Sequence, residues 1–382
     1  MKLPDLKNYD VAVIGAGIVG LATALAASKL GKRVVVFERT PKAMGASVRN
    51  FGMLWPIGQV AGEPLDWAMR TREIWLDIAK KSDLWIRPSG SLHLAYHDDE
   101  MTVLEEFMSQ TRGAGYQTEL VTPEKTSELS SVVKMNGLKG ALWSATEVNV
   151  SPRQAIDHLR YYLMEKQGVD FMFNKTIMQI DFPYLYTSEE EFEVFDQIYV
   201  CSGSDFETLY PSVFSASGMT KCKLQMLSTV AQSPNFDMGA MLCAGLTLRH
   251  YEAFAACPTL EALSARFDRE QPLFKEFGIH VLLSQNHENQ LVIGDSHEYG
   301  MLLSPFDKER INELILGYLN SFAALPNANI EERWHGIYPK LKGKTFFHEE
   351  VEPNVSVING LGGAGMTLSF GVTEAILKTV YA

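Results

Sequence analysis

The chain has 382 residues, 46% of them hydrophobic, enough for a large core and, by length, two domains. The formal net charge is −12 and no Lys/Arg-rich run interrupts it, which argues against nucleic acid or an anionic membrane as partner. Cys201, Cys222, Cys243 and Cys257 show no CxxC pairing; they read as buried thiols of a reducing compartment, and no metal is expected.

Asp10–Ile14 (DVAVI) reads as a short strand and Gly15–Gly20 (GAGIVG) as a turn. Leu21–Leu30 follows as an Ala/Leu helix closed by Gly31, and Arg33–Glu38 (RVVVFE) as a second apolar strand. The run of apolar strands predicts a buried parallel sheet. The apolar stretch Val11–Leu30 is no plain membrane span, because Gly15, Gly17 and Gly20 interrupt it. Asp5 and Asp10 stand where a signal peptide would be basic, so a cytoplasmic protein is expected. Arg72–Lys81 has amphipathic helical spacing, and Ser89–Ala95 and Gln117–Val121 read as strands of another layer. Ser151–Gln167 is expected to be helical, with Pro152 in its first turn. Phe171–Ile180 and Glu193–Cys201 read as strands, the second running into Ser202 and Gly203. Further on, Ile279–Ser284, Gln290–Gly294 and Val355–Asn359 read as strands, and a Gly-rich turn opens a last helix from about Met366.

The glycines of Gly15-Ala16-Gly17-Ile18-Val19-Gly20 have GxGxxG spacing between a strand and a helix. The first permits a tight turn, the second lets backbone approach a pyrophosphate, and the third packs helix on strand. The phosphates would rest on the helix N-terminus, where free N–H groups favour negative charge. Glu38, followed by Arg39, ends the next strand and is placed to accept from adenosine ribose hydroxyls. A bound dinucleotide follows; the motif alone leaves FAD and NAD open.

Two more segments, GASVRNFGMLWP at Gly45–Pro56 and NGLGGAGMTLS at Asn359–Ser369, join VCSG at Val200–Gly203. Together with the first motif they resemble the D-amino-acid oxidase family of flavoproteins, which includes glycine oxidase and monomeric sarcosine oxidase. The resemblance implies an α/β fold: a Rossmann-like FAD-binding domain (GR2-type) interleaved with an α+β substrate domain on a mixed or antiparallel sheet. The FAD domain would take residues 1–85, 145–220 and 330–382, and the substrate domain 86–144 and 221–329. Ser47, Arg49, Asn50, Gly52 and Met53 would line the pyrophosphate and ring, Ile177 the adenine, and Ser202 and Gly203 the ribose. Gly362, Gly363, Ala364, Gly365 and Met366 would approach the pyrimidine end of the flavin, where a helix N-terminus stabilises the negative charge of the reduced ring.

The family implies oxidation of a small amine by hydride transfer to flavin N5, giving an imine that hydrolyses, with O2 as acceptor. Arg333–Pro339 (RWHGIYP) resembles the family segment that places a tryptophan, a glycine (here Gly336) and a proline beside the flavin. Glycine oxidase-like members carry there, before the proline, an arginine that holds the substrate carboxylate; here the position is Tyr338. No flavin-linking cysteine stands in this region, so the resemblance implies non-covalent FAD. Trp55, His335, Arg249, Tyr251 and His280 are the other candidates for the substrate side, and no acid or base is assigned. His297-Glu298-Tyr299 reads as a structural turn, and Lys340, Lys342 and Lys344 as a solvated loop. SVRNFGMLWP and GDSHEYG (Gly294–Gly300) are similar to a bacterial subgroup associated with aminophosphonate breakdown. Two alternatives stay open: an amine or D-amino-acid dehydrogenase with a quinone or protein acceptor, and a tRNA-modifying FAD oxidase domain, which the acidic charge disfavours.

Overall fold

A computed structural model describes residues 9–382; Asp5 lies outside them. Five strands run parallel in the order Val355–Asn359, Glu191–Val200, Tyr9–Ile14, Val34–Glu38, Asp170–Phe173. Val11, Val13, Val34, Val36 and Val200 are buried there, as a sheet covered on both faces requires. The helices Ile18–Lys29, Pro152–Gln167 and Gly365–Val380 pack on one face. Pro152 sits in the first turn of its helix and Gly168 closes it in the left-handed conformation.

A nine-stranded mixed sheet forms the second layer. Its longest pairing joins Thr220–Thr229 to Ile330–Lys340, antiparallel, with Cys222 opposite Tyr338 and Gln225 opposite His335. The strand Ile330–Lys340, grouped by sequence with the first unit, therefore pairs with the second sheet. Met241–Ala244 and Ser91–Ala95 supply a parallel pair, so the sheet is mixed. Among the described residues no helix is long and apolar enough to cross a membrane.

Several boundaries differ from those expected from the sequence. The helix expected over Arg72–Lys81 begins at Glu63, because Gly62 and Pro64 start it and Leu65 and Ala68 extend its buried face. The strand expected over Phe171–Ile180 divides into Asp170–Phe173 and Gln179–Asp181, leaving Ile177 on the connecting segment. His280 precedes its strand, Leu282–Gln285, rather than lying inside it.

Candidate active site

A continuous cavity of about 890 Å³ opens between the two layers, lined by both glycine segments and by the second sheet. At one end the strand Tyr9–Ile14 turns through Gly15, whose φ is +106° and whose Cβ, if present, would lie 2.5 Å from the Cys201 carbonyl oxygen. A Cβ on Gly20 would meet the Gly15 oxygen at 1.8 Å, so helix and strand close only on glycine. Gly20 and Ala16 are therefore packing and backbone positions rather than cavity wall. Gly17 differs: it has ordinary extended backbone (φ −71°, ψ 174°) and lines the cavity as the N-cap of the helix. That helix has no side-chain cap at Gly17; instead Ile18 N–H donates to Ser47 Oγ at 2.9 Å. Glu38 accepts from Ala16 N–H at 3.1 Å and from the Thr40 hydroxyl at 2.6 Å, which aims its carboxylate along the same wall. Arg39 also lines the cavity and pairs with Asp205 at 2.7 Å.

The segment after the second strand is tied in place by Asn50. Its side chain donates to the Ala46 and Ser47 carbonyls at 3.2 and 2.9 Å and accepts from Gly52 N–H at 2.8 Å. Gly52 is not cavity wall; with φ +72° it lies so close to Val150 that a Cβ would meet that carbonyl oxygen at 1.8 Å. Trp334 Nε1 donates to the Arg49 carbonyl at 3.2 Å, joining this loop to the second sheet. Opposite, Gly362–Ala364 forms a single tight turn that leads into the helix Gly365–Val380, and both line the cavity at its start. Trp55 N–H donates to Thr367 Oγ1 at 2.9 Å, fixing the two flanking segments together. Met53, Ile177, Ser202, Gly203 and Gly336 line the same space.

The far end is aromatic and histidine-rich. Trp55 and Tyr251 stack with centroids 6.3 Å apart. His250, His280 and His297 gather within ring distances of 3.7, 4.6 and 5.1 Å, beside Asp295. His280 and His297 are buried while His250 opens to the cavity, and desolvation lowers all three imidazoles, His250 and His280 well below their ordinary pKa and His297 to about 4. The same burial raises the Asp295 carboxyl well above the usual carboxylate range and the Tyr338 phenol above its own. Arg249 reaches the cavity but its guanidinium is paired with Asp268 at 2.7 Å.

His335, expected on the substrate side, faces outward. Strand alternation sends its ring to Asp307 at 2.9 Å, while Gly336 and Tyr338 face the cavity. Among the cavity residues that sequence reasoning misses are His250, Asp295, His297 and Lys340. His250 is legible only as the neighbour of Arg249 and Tyr251. His297 reads as a turn, yet it immediately precedes a short strand, Glu298–Gly300, and lines the cavity. Lys340, expected in a loop, ends the long strand and lies against Gly362.

A parallel sheet with a glycine-turn helix, joined through one cavity to a capping mixed sheet, is the architecture of a flavin-dependent oxidoreductase. Residues 10–378 match the family model described as DAO, FAD dependent oxidoreductase, and the chain belongs to that family. It is 26% identical over 162 residues to the glycine oxidase of Geobacillus kaustophilus (strain HTA426), spanning 40% of this chain and only 43% of that protein. It is 20% identical over 351 residues to one component of the opine oxidase of Rhizobium meliloti, spanning 88% of this chain and 83% of that one. In fold it is similar to the solved glycine oxidase of Bacillus cereus ATCC 14579, with a TM-score of 0.77 at 17% identity over 98% of this chain and 95% of that one. FAD is the cofactor. The residues fit it: Gly17 leaves open a cradle in which a Cβ would sit 3.1 Å from Ser47 Oγ, and two helix N-termini face the cavity.

Proposed function

We propose that this protein oxidises a small amine bearing an anionic group, with non-covalent FAD as oxidant and dioxygen as acceptor. Tyr338 carries the reading. It faces the cavity at the position where the resemblance expects the arginine that holds an α-carboxylate. Its phenol, whose ionisation burial disfavours further, offers a hydrogen bond in place of a bidentate cationic fork. A donor whose anionic group lies one carbon further from nitrogen suits such a site. Aminoethylphosphonate, or an N-methyl or hydroxy derivative of it, is the donor we assign. Arg249 is the cation assigned to its phosphonate, shared with Asp268. The similar glycine oxidases support an amino-acid-like donor.

Bound FAD supplies two-electron oxidation at the carbon carrying nitrogen. The chain's own contribution is positioning: Trp55 and Tyr251 wall the cavity and exclude water, and the Asn50-tied loop and the Gly365 helix hold the flanking walls at fixed separation. An amine that arrives neutral requires no side-chain base.

The test is steady-state turnover on glycine, sarcosine, D-alanine and an aminophosphonate series, for wild type and Arg249→Met. Aminophosphonates are expected to be oxidised, with KM raised in the variant. Efficient oxidation of glycine or D-alanine with aminophosphonates inert overturns the proposal. An unchanged KM in Arg249→Met moves the anion site elsewhere. Peroxide formed in step with oxygen uptake identifies an oxidase; turnover only with a quinone identifies a dehydrogenase.

A further inference from the structure

We propose that His250, His280 and His297 form a site for one divalent transition-metal ion of the zinc class, at the substrate end of the cavity. One ring nitrogen from each of the three lies within 4.8 Å of the others. Imidazole nitrogens about 2.0–2.1 Å from zinc in tetrahedral array stand about 3.3 Å apart, so side-chain rotations that unstack His280 from His250 and His297 and draw the nitrogens together close the set. The three arrive from separate places: the turn after the short helix Gly245–Leu248, the approach to Leu282–Gln285, and the link between Leu291–Gly294 and Glu298–Gly300. Convergence of three separated imidazoles on one point of a cavity wall is what a ligand set needs and what core packing does not require.

The surroundings match a cation more than an anion. His297 Nδ1 lies 2.9 Å from the Gly278 carbonyl oxygen, which must accept; Nδ1 therefore carries the hydrogen and Nε2 keeps its lone pair free. Among the described residues His280 Nδ1 has no hydrogen-bond partner. Asp295 is buried against the cluster, with Oδ1 3.1 Å from His280 Nε2 and Oδ2 3.9 Å from His297 Nε2, and among the described residues Oδ1 accepts no hydrogen bond. Among the described residues no Lys or Arg forms an ion pair with it. A buried carboxylate without a cation is costly, and a divalent ion beside it removes that cost while the carboxylate orients the ligands. Three histidines, with the carboxylate orienting them rather than binding the ion, leave the fourth tetrahedral position open to the cavity, as in metal sites that hold an exchangeable oxygen ligand. The anionic oxygen of a substrate is the natural occupant. That role, unlike the metal site, rests on the anion-bearing substrate proposed above.

The experiment is equilibrium dialysis of the FAD-loaded full chain, first stripped with chelator, against Zn²⁺ with no amine present. About one Zn²⁺ per chain is expected, measured by elemental analysis beside the flavin absorbance. His280→Gln and His297→Gln should each weaken binding at least tenfold. His250→Asn, whose ring presents to the cavity, should do the same and is the variant least disturbing to packing. Wild-type flavin content in the variants shows that they fold. No Zn²⁺ retained by the wild type, or stoichiometric Zn²⁺ retained by all three variants, overturns the site. Because no amine enters the measurement, its failure is separate from failure of the substrate reading.

Discussion

Replacing Gly17 by valine should remove FAD and spare the fold, because this glycine is required by the ligand and not by the backbone. At φ −71° and ψ 174° the position suits any residue, β-branched ones included. The added Cβ meets only the far end of one side chain, Ser47 Oγ at 3.1 Å, which can give by a few tenths of an ångström. The two methyls beyond it project into the cavity at the helix N-terminus, where the pyrophosphate must approach backbone N–H groups. Hydrogen bonds to a charged group contribute about 1.5–3 kcal/mol each. Loss of a single one weakens binding about 10–150-fold, at 1.4 kcal/mol per factor of ten. The assay is titration of the apoprotein with FAD by flavin fluorescence quenching, with thermal unfolding of wild-type and variant apoproteins in parallel. Gly17→Ala, whose single methyl stops short, should lose less than the valine variant. Wild-type FAD affinity in Gly17→Val would refute the placement of the phosphates. An apoprotein melting far below wild type would show instead that the turn itself had failed.

Gly20→Ala should behave oppositely, yielding insoluble or unfolded chain whether or not FAD is supplied, since its Cβ would overlap the Gly15 oxygen at 1.8 Å; a soluble, flavin-loaded Gly20→Ala protein would contradict the helix–strand packing. FAD should leave the polypeptide intact on acid or heat precipitation, and flavin retained in the pellet would show a covalent link. Asn50→Ala removes three hydrogen bonds that tie the flavin-side loop; at about 0.5–1.5 kcal/mol each, the melting temperature should fall by several degrees. An unchanged melting temperature would show that this loop is held by other contacts.

The dinucleotide half of the molecule was legible because its determinants are local. Gly15, Gly17, Gly20 and Glu38 fall within one strand–turn–helix–strand unit, and each glycine answers a contact inside that unit or with its immediate neighbour. The long pair Thr220–Thr229 and Ile330–Lys340 did not stand out, although it is the backbone of the second sheet. Lys223 and Gln225 occupy buried positions in the first of these strands and break its apolar alternation. Their burial makes sense only in three dimensions: Lys223 pairs with Asp307 at 2.8 Å, and Gln225 bonds Asn312 and the Lys308 carbonyl at 3.0 Å.

The sequence by itself determined the nucleotide turn, the acidic residue that follows it and the Gly-rich start of the last helix, because short-range geometry dictates those residue types. It also carried Tyr338, which lines the cavity directly before Pro339. Only the tertiary structure decided which side chains share the substrate end: strand alternation turned His335 away to Asp307, Arg249 came to rest on Asp268, and three histidines met beside Asp295. No local spacing links those three, since they are brought together by the pairing of strands whose order in the sheet differs from their order in the chain.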